Sequence, residues 1–374
     1  MNRERALMVD SYVSEQRASR VKDLDILQAI YEYRILSASQ IKRLFFTDSK
    51  KYHYRKMQIM RQKGWIASKP HVRNGKKYEV VYYVLQPAIE MLFKNNRIRF
   101  QRRWDRNKLL DWRKIERVLD ANELFVHLHH WGYTVTEDRT WKETFALYAG
   151  SPIRHGITLE NSEKYHTFIL PDQVEDETIR RIRRFIKEET ALSRYMVYYM
   201  GPNAARSYMK AMSEDKSVEL SKLSFCIMPY EYIALRMPFI GSQNALYDVI
   251  AEKYGKPTLF PENKREEATA FVSMQLKHEG SDYLVFNYLM NDFIVANAIW
   301  NYPQRKHQET GKKIGVLCWE DQKDRFEKLS EKREDLKVFS FKEHDFMLHP
   351  FYTRWVEKEA SMDYRNPKNR AKGL

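Results

Sequence analysis

Two short runs in the chain carry residue types suited to metal-dependent cleavage of a phosphodiester. His127-Leu-His129-His130 contains the His-x-His spacing with which DNA-nicking enzymes hold a divalent cation beside a nucleophilic tyrosine. That chemistry needs both imidazoles on one face of a strand, where a period of two aligns them. Asp120–Trp131 reads instead as a helix, on which His127 and His129 diverge by about 200° while His127 and His130 share a face. A histidine near a helix C-terminal dipole accounts for the run without a metal. The second run, Asp321-Gln-Lys323, has the letters of the acid-x-lysine element that binds Mg²⁺ and orients water in restriction-type nucleases. Glu320-Asp321 is equally what a helix N-terminus prefers, and Lys323 would already lie in that helix. Glu143 and Glu160 could supply a partner carboxylate, but nothing singles them out.

No GxxxxGK[ST] loop occurs, so ATP-driven unwinding has no support. His278, His307, His344 and His349 are scattered, and Cys226 and Cys318 are the two cysteines, too few for a Cys₄ zinc site or a disulfide scaffold. The 24 tyrosines do not single out a nucleophile. Asp321, Lys323 and His127 therefore stand as weak catalytic candidates, the expectation leans against an enzyme, and no cofactor is expected. Mg²⁺ enters only with the nuclease alternative.

Charge points elsewhere. The net charge is +15, and residues 1–105 hold 23 Lys+Arg against 10 Asp+Glu, while the remaining 269 residues are nearly balanced at +2. Such self-repulsion costs stability, and its usual compensating partner is a polyanion. Hydrophobic residues make up 43% of the chain, enough for a sizeable core rather than disorder throughout. No apolar run approaches the roughly 18–20 residues that span a bilayer, and Met1–Asp10 is charged rather than signal-like. The expectation is a soluble protein of a reducing compartment, with no membrane partner.

The elements that must carry this charge follow from periodicity. After a polar arm (1–22), Leu24, Leu27, Ile30 and Tyr31 recur at helical spacing behind Asp23. Ser37-Ala-Ser-Gln40 has the capping-box spacing and opens a second helix to Phe46. Thr47-Asp48-Ser49 is a turn, and a third helix, Lys50–Lys63, ends at Gly64. Strands Trp65–Ser68 and Tyr78–Leu85 flank the tight-turn signal Asn74-Gly75, and Pro87 starts a further helix. This order predicts a winged helix-turn-helix over 23–96. With Met57 and Met60 inward, Lys50, Lys51, Arg55 and Gln58 point toward a major groove, and Tyr54 (or Tyr52) toward a phosphate or thymine methyl. Lys42 and Arg43 on the second helix, and Arg73, Lys76 and Lys77 on the wing, are read as phosphate contacts. A basic connector and helix (97–131), with Arg102 and Arg103, extends the footprint.

Residues 132–350 read as a larger mixed α/β domain, followed by a basic tail (351–374). Strands are expected at Tyr133–Glu137, Lys164–Leu170, Arg194–Met200, Ser224–Met228, Asp282–Phe286, Lys313–Trp319 and Leu336–Phe341. Helices are expected at Glu175–Glu189, Asn203–Met212, Ser242–Lys253 and Gln322–Lys332. The best-marked unit is the last, a strand-helix-strand crossover opened by the apolar run Ile314-Gly-Val-Leu-Cys318. No internal repeat stands out.

The run Asp25–Phe45, with Tyr54-Arg-Lys-Met-Gln-Ile-Met-Arg-Gln-Lys-Gly-Trp-Ile66, resembles the opening of the replication-relaxation family of bacterial plasmids and mobile elements, most clearly over 23–96. The resemblance implies an N-terminal winged helix and a C-terminal α/β region that is sometimes nuclease-like. Tyr165–Leu170, where such a region would place its acidic strand, has no carboxylate, so a nuclease-like core would be degenerate here. It also implies sequence-specific binding of double-stranded DNA in replication initiation or its control, in a bacterial cytoplasm. A metal-dependent nicking enzyme and a winged-helix transcriptional regulator are the alternatives. Self-association and replication proteins are the other partners expected.

Overall fold

A computed structural model describes residues 23–46, 52–73, 76–99, 112–129, 131, 133–160, 162–189, 191, 193–214, 223–259, 272–303 and 311–347. The chain divides into two compact units, Met1–Val126 and His127–Leu374. The architecture is mixed α/β, with three sheets among the described residues, none of them a closed barrel. No described helix is long and apolar enough to cross a membrane.

In the first unit, helix α1 (23–32) is followed by a left-handed turn at Arg34 (φ +67°) and the two-residue strand β1 (Leu36–Ser37). Helices α2 (Ala38–Phe45) and α3 (Tyr52–Gln62) come next, then hairpin strands β2 (Ile66–Arg73) and β3 (Lys76–Val84), then α4 (Gln86–Lys94). The capping box forms as its spacing requires: Gln40 N–H donates to Ser37 Oγ at 3.2 Å, and Ser37 N–H donates to Gln40 Oε1 at 3.1 Å. Glu79 of β3 also accepts from Ser39 N–H at 2.6 Å, so the sheet holds the start of α2. Gly64 adopts φ +68°, the conformation that releases the chain from α3. β1 pairs antiparallel with β3, which pairs with β2, giving a small sheet against the helices.

The connector helix packs with this unit rather than standing apart from it. Helix α5 (Trp112–Leu128) adds Ile115 to a cluster with Ile35 and Val81. Its Asn122 side-chain amide donates to the carbonyls of Tyr33 and Ile35, at 3.1 and 2.6 Å. The first unit therefore runs past the boundary drawn at residue 96, with α5 bonded to the carbonyls of the turn between α1 and β1.

The second unit holds two five-stranded sheets with one topology between them. The first comprises β4 (Thr134–Glu137), β5 (His155–Thr158), β6 (Lys164–Leu170), β7 (Arg194–Tyr199) and β8 (Ser224–Pro229), in that spatial order. Its first three strands form an antiparallel meander and its last three run parallel. Helix α6 (Asp138–Thr144) joins β4 to β5, while α7 (Asp176–Glu188) and α8 (Pro202–Glu214) form the parallel crossovers. Both crossover helices pack into one cluster on one face of the sheet, with Phe168, Tyr195 and Phe225 below them.

After α9 (Tyr232–Leu235), α10 (Met237–Ile240) and α11 (Gln243–Tyr254), the same path recurs. β9 (Pro257–Leu259), β10 (Val272–His278) and β11 (Ser281–Asn287) form the meander, and β12 (Lys313–Trp319) and β13 (Leu336–Phe341) the parallel strands. The crossovers are α12 (Phe293–Trp300) and α13 (Lys323–Ser330), and α14 (Glu343–Met347) follows. A repeat that the sequence does not show is thus present in the topology. Asp292 joins the halves: its carboxylate accepts from Ile294 N–H to cap α12, and from Ser224 Oγ and Phe225 N–H at the start of β8.

Candidate nucleic-acid interface

Two groups of described cations stand out in the first unit. The first is neutralised internally. Arg43 donates through Nη1 and Nη2 to the two oxygens of Glu123 on α5, at 2.7 and 2.6 Å, and is buried. The same carboxylate accepts from Gln40 Nε2 at 2.8 Å, and Gln40 also donates to Leu119 O. Lys56 pairs with Asp23, and Arg97 pairs with Asp25 at 3.0 Å. Burying a guanidinium is tolerable only with such a bidentate, hydrogen-bonded partner. Arg43 is thus a correction to the sequence reading: its partner lies 80 residues away, and it ties α2 to α5 instead of facing phosphates.

The second group lies on α3. His53, Lys56, Met57 and Met60 form its inner face; burial, and next the charge of Lys42, push the His53 pKa down. The outer face carries Tyr52, Tyr54, Arg55, Gln58, Ile59, Arg61 and Gln62, all exposed, with Tyr54 at 60%. Tyr54, Gln58 and Arg61 follow the i, i+4, i+7 spacing, as do Arg55, Ile59 and Gln62, so two adjacent stripes run about 10 Å along the helix. No acidic residue occurs on α3. Among the described residues, Arg55, Arg61 and Lys42 pair with no carboxylate. Arg61 and Gln62 extend the predicted set, and the i+7 spacing from Tyr54 and Arg55 was the signal that could have found them.

Of the other predicted residues, Lys50, Lys51, Arg102 and Arg103 lie outside the described residues. The backbone of Arg73, Lys76 and Lys77 is placed at the inner ends of β2 and β3, where Arg73 pairs with Lys76 across the hairpin. The structure therefore brings Tyr54, Arg55 and Gln58 onto one surface with Arg61, and removes Arg43 from it.

The catalytic candidates do not converge. His127 sits in the last turn of α5 and His129 in the turn after it, so the His-x-His pair has no strand to align it; His130 lies outside the described residues. Asp321 lies in the short 3-10 turn Glu320–Gln322 after β12. Its carboxylate accepts from Tyr232 Oη at 2.9 Å and pairs with Arg236 at 3.0 Å, while Lys323 pairs with Glu327 one helical turn on. Arg236 also lies over the rings of Tyr232 and Trp319 and pairs with Glu343, so Asp321 belongs to a strut between α9, β12 and α14. Glu143 and Glu160 are exposed, on α6 and after β5. Among the described residues no three His, Cys, Asp or Glu side chains gather as a metal-binding group.

Among the polar groups that the first sheet buries is a histidine on β6. His166 on β6 is fully buried, accepts from Trp141 Nε1 at 2.9 Å through Nδ1, and is ringed by Phe145, Phe185 and Tyr195. Burial pushes its pKa down to about 4, so the imidazole stays neutral. It is enclosed by apolar rings rather than open to a substrate.

In comparison with known proteins, residues 27–176 match the replication-relaxation family, from within α1 to the first residue of α7. No curated protein and no solved structure matches the chain.

Proposed function

From the family match over residues 27–176, we propose that this protein binds double-stranded DNA sequence-specifically and acts at a plasmid or mobile-element site, in replication initiation or its control. In this reading the first unit is a winged helix-turn-helix. Helix α3 enters the major groove, the β2–β3 hairpin is the wing, and Lys42 meets a phosphate. The observation that carries the reading is the division of charge just described. Arg43, Lys56 and Arg97 are held by Glu123, Asp23 and Asp25, whereas α3, which contains no acidic residue, presents Arg55, Arg61, Gln58 and Tyr54 to solvent. Arginine and glutamine are the side chains that hydrogen-bond guanine and adenine edges in pairs, and a tyrosine reaches phosphate or a thymine methyl.

Selection from random-sequence duplex DNA with the full chain tests this. Enrichment of one short motif is the expected result, and whether that motif lies in an origin or a promoter separates an initiator from a repressor. Recovery of a pool with no shared motif would sink the sequence-specific reading.

A further inference from the structure

We propose that the outer surface of α7 and α8 in the second unit is a separate contact for the phosphodiester backbone of duplex DNA, a proposal that rests on the DNA-binding reading above. Helix α7 reads Asp-Glu-Thr-Ile-Arg-Arg-Ile-Arg-Arg-Phe-Ile-Lys-Glu, with five cations in the eight residues from Arg180 to Lys187 and its acids confined to the ends. Ile179, Ile182, Phe185 and Ile186 point into the sheet. Arg180, Arg184 and Lys187 are exposed and follow the i, i+4, i+7 spacing, forming one stripe about 10 Å long. Helix α8 covers the same face of the sheet and adds exposed Arg206.

The internal repeat supplies the control. Helix α12 occupies the position of α7 in the second sheet, packs against β8 as well as its own sheet, and carries no charge in Phe-Ile-Val-Ala-Asn-Ala-Ile-Trp; α13, at the position of α8, intersperses Lys323, Arg325 and Lys328 with Asp324 and Glu327. The topology asks of a crossover helix an apolar inner face and leaves its outer face unspecified, so folding does not call for the arginines of α7. Among the described residues, Arg184, Lys187 and Arg206 have no ion-pair partner, and Arg180 has only an exposed pair with Glu177, which water and salt screen. Guanidinium groups in a row suit phosphate oxygens, which they engage in pairs. A membrane surface is the poorer occupant, because the apolar side of α7 is already buried against β6 and β7 and cannot enter lipid. Helix α7 starts where the family match ends, so the match does not supply this contact. Two contacts on one chain raise avidity without any further base reading.

The test is the salt dependence of binding of the full chain to a mixed-sequence DNA duplex. Replacing Arg180, Arg184, Lys187 and Arg206 with Gln should lower the slope of log K against log salt by about 0.9 per lost phosphate contact, so by about 2–4 in all. Replacing the three arginines with Lys should leave the slope near the parent's. An unchanged slope in the folded Gln variant, or an equal loss in the Lys variant, would overturn the proposal. So would loss of binding to phosphatidylserine vesicles with no change on DNA. Arg55→Ala with Gln58→Ala serves as the parallel arm. If that pair leaves DNA binding untouched while the Gln variant weakens it, the α3 reading fails and this one stands.

Discussion

The sheets β4–β8 and β9–β13 follow one path, a three-stranded meander and then two parallel crossovers, yet they are filled and clothed differently. The first is packed around His166, Trp141 and a ring of Phe and Tyr; the second around Leu284, Phe286, Ile314, Val316 and Phe326. The first wears a run of arginines on its first crossover helix, whereas in the second the first crossover is uncharged and the other, α13, sets Lys323, Arg325 and Lys328 among Asp324 and Glu327. A topology fixes which face of each helix must be apolar. It leaves the outer face, and the detailed fitting of the core, free to serve something else.

The largest effect that would test this difference lies at one close glycine approach in each sheet. A Cβ on Gly156 of β5 would sit 1.8 Å from the Trp141 ring, which its hydrogen bond to His166 holds in place. A Cβ on Gly315 of β12 would sit 2.7 Å from the edge of Phe339 and 3.0 Å from Val285. Gly156→Ala should destabilise the protein by about 3 kcal/mol or more and Gly315→Ala by about 1–2 kcal/mol. Urea unfolding of both variants measures it, and equal costs would show that the two cores are equally tight.

The next effect is one of pH. The unfolded chain protonates a histidine near 6.5, the folded chain protonates His166 only near 4. Between these values the unfolded state binds more protons. Stability is therefore full above about pH 6.5 and declines as pH falls toward 4, by an amount of order 3 kcal/mol for this group. His166→Asn should remove most of that slope while costing stability at pH 7. A parent slope that survives the substitution would place the acid sensitivity elsewhere. The smallest effect is on the outer faces: Arg184→Gln on α7 should change stability by less than about 0.5 kcal/mol, as a surface site does. A larger loss would make the arginine structural and erase the contrast with α12.

These contrasts also show what could be read from the sequence. Local signals were legible: the Ser37–Gln40 box, Gly64, the apolar runs that became β6, β7, β12 and β13, and the final crossover. β5 and β9, four and three residues long, are too short for a period to show. α12 is a continuous apolar run, which periodicity cannot tell from a buried strand. The repeat was hidden because equivalent elements share pairing and not residues. Arg43 was misread because its local pattern faces outward, and only the return of α5 brings Glu123 to it. The face of α3 was legible because both its inner methionines and its outer stripe obey one helical period.

That face decides the account. The direct measurement is the ratio of affinities of the full chain for its selected duplex and for a scrambled duplex of equal length, in the parent and in Arg55→Ala with Gln58→Ala. At about 1–3 kcal/mol for each base contact, the variant should lose a factor of about 30 or more in that ratio while keeping its affinity for the scrambled duplex within a few-fold. A folded variant with the parent's ratio would mean that α3 does not read DNA.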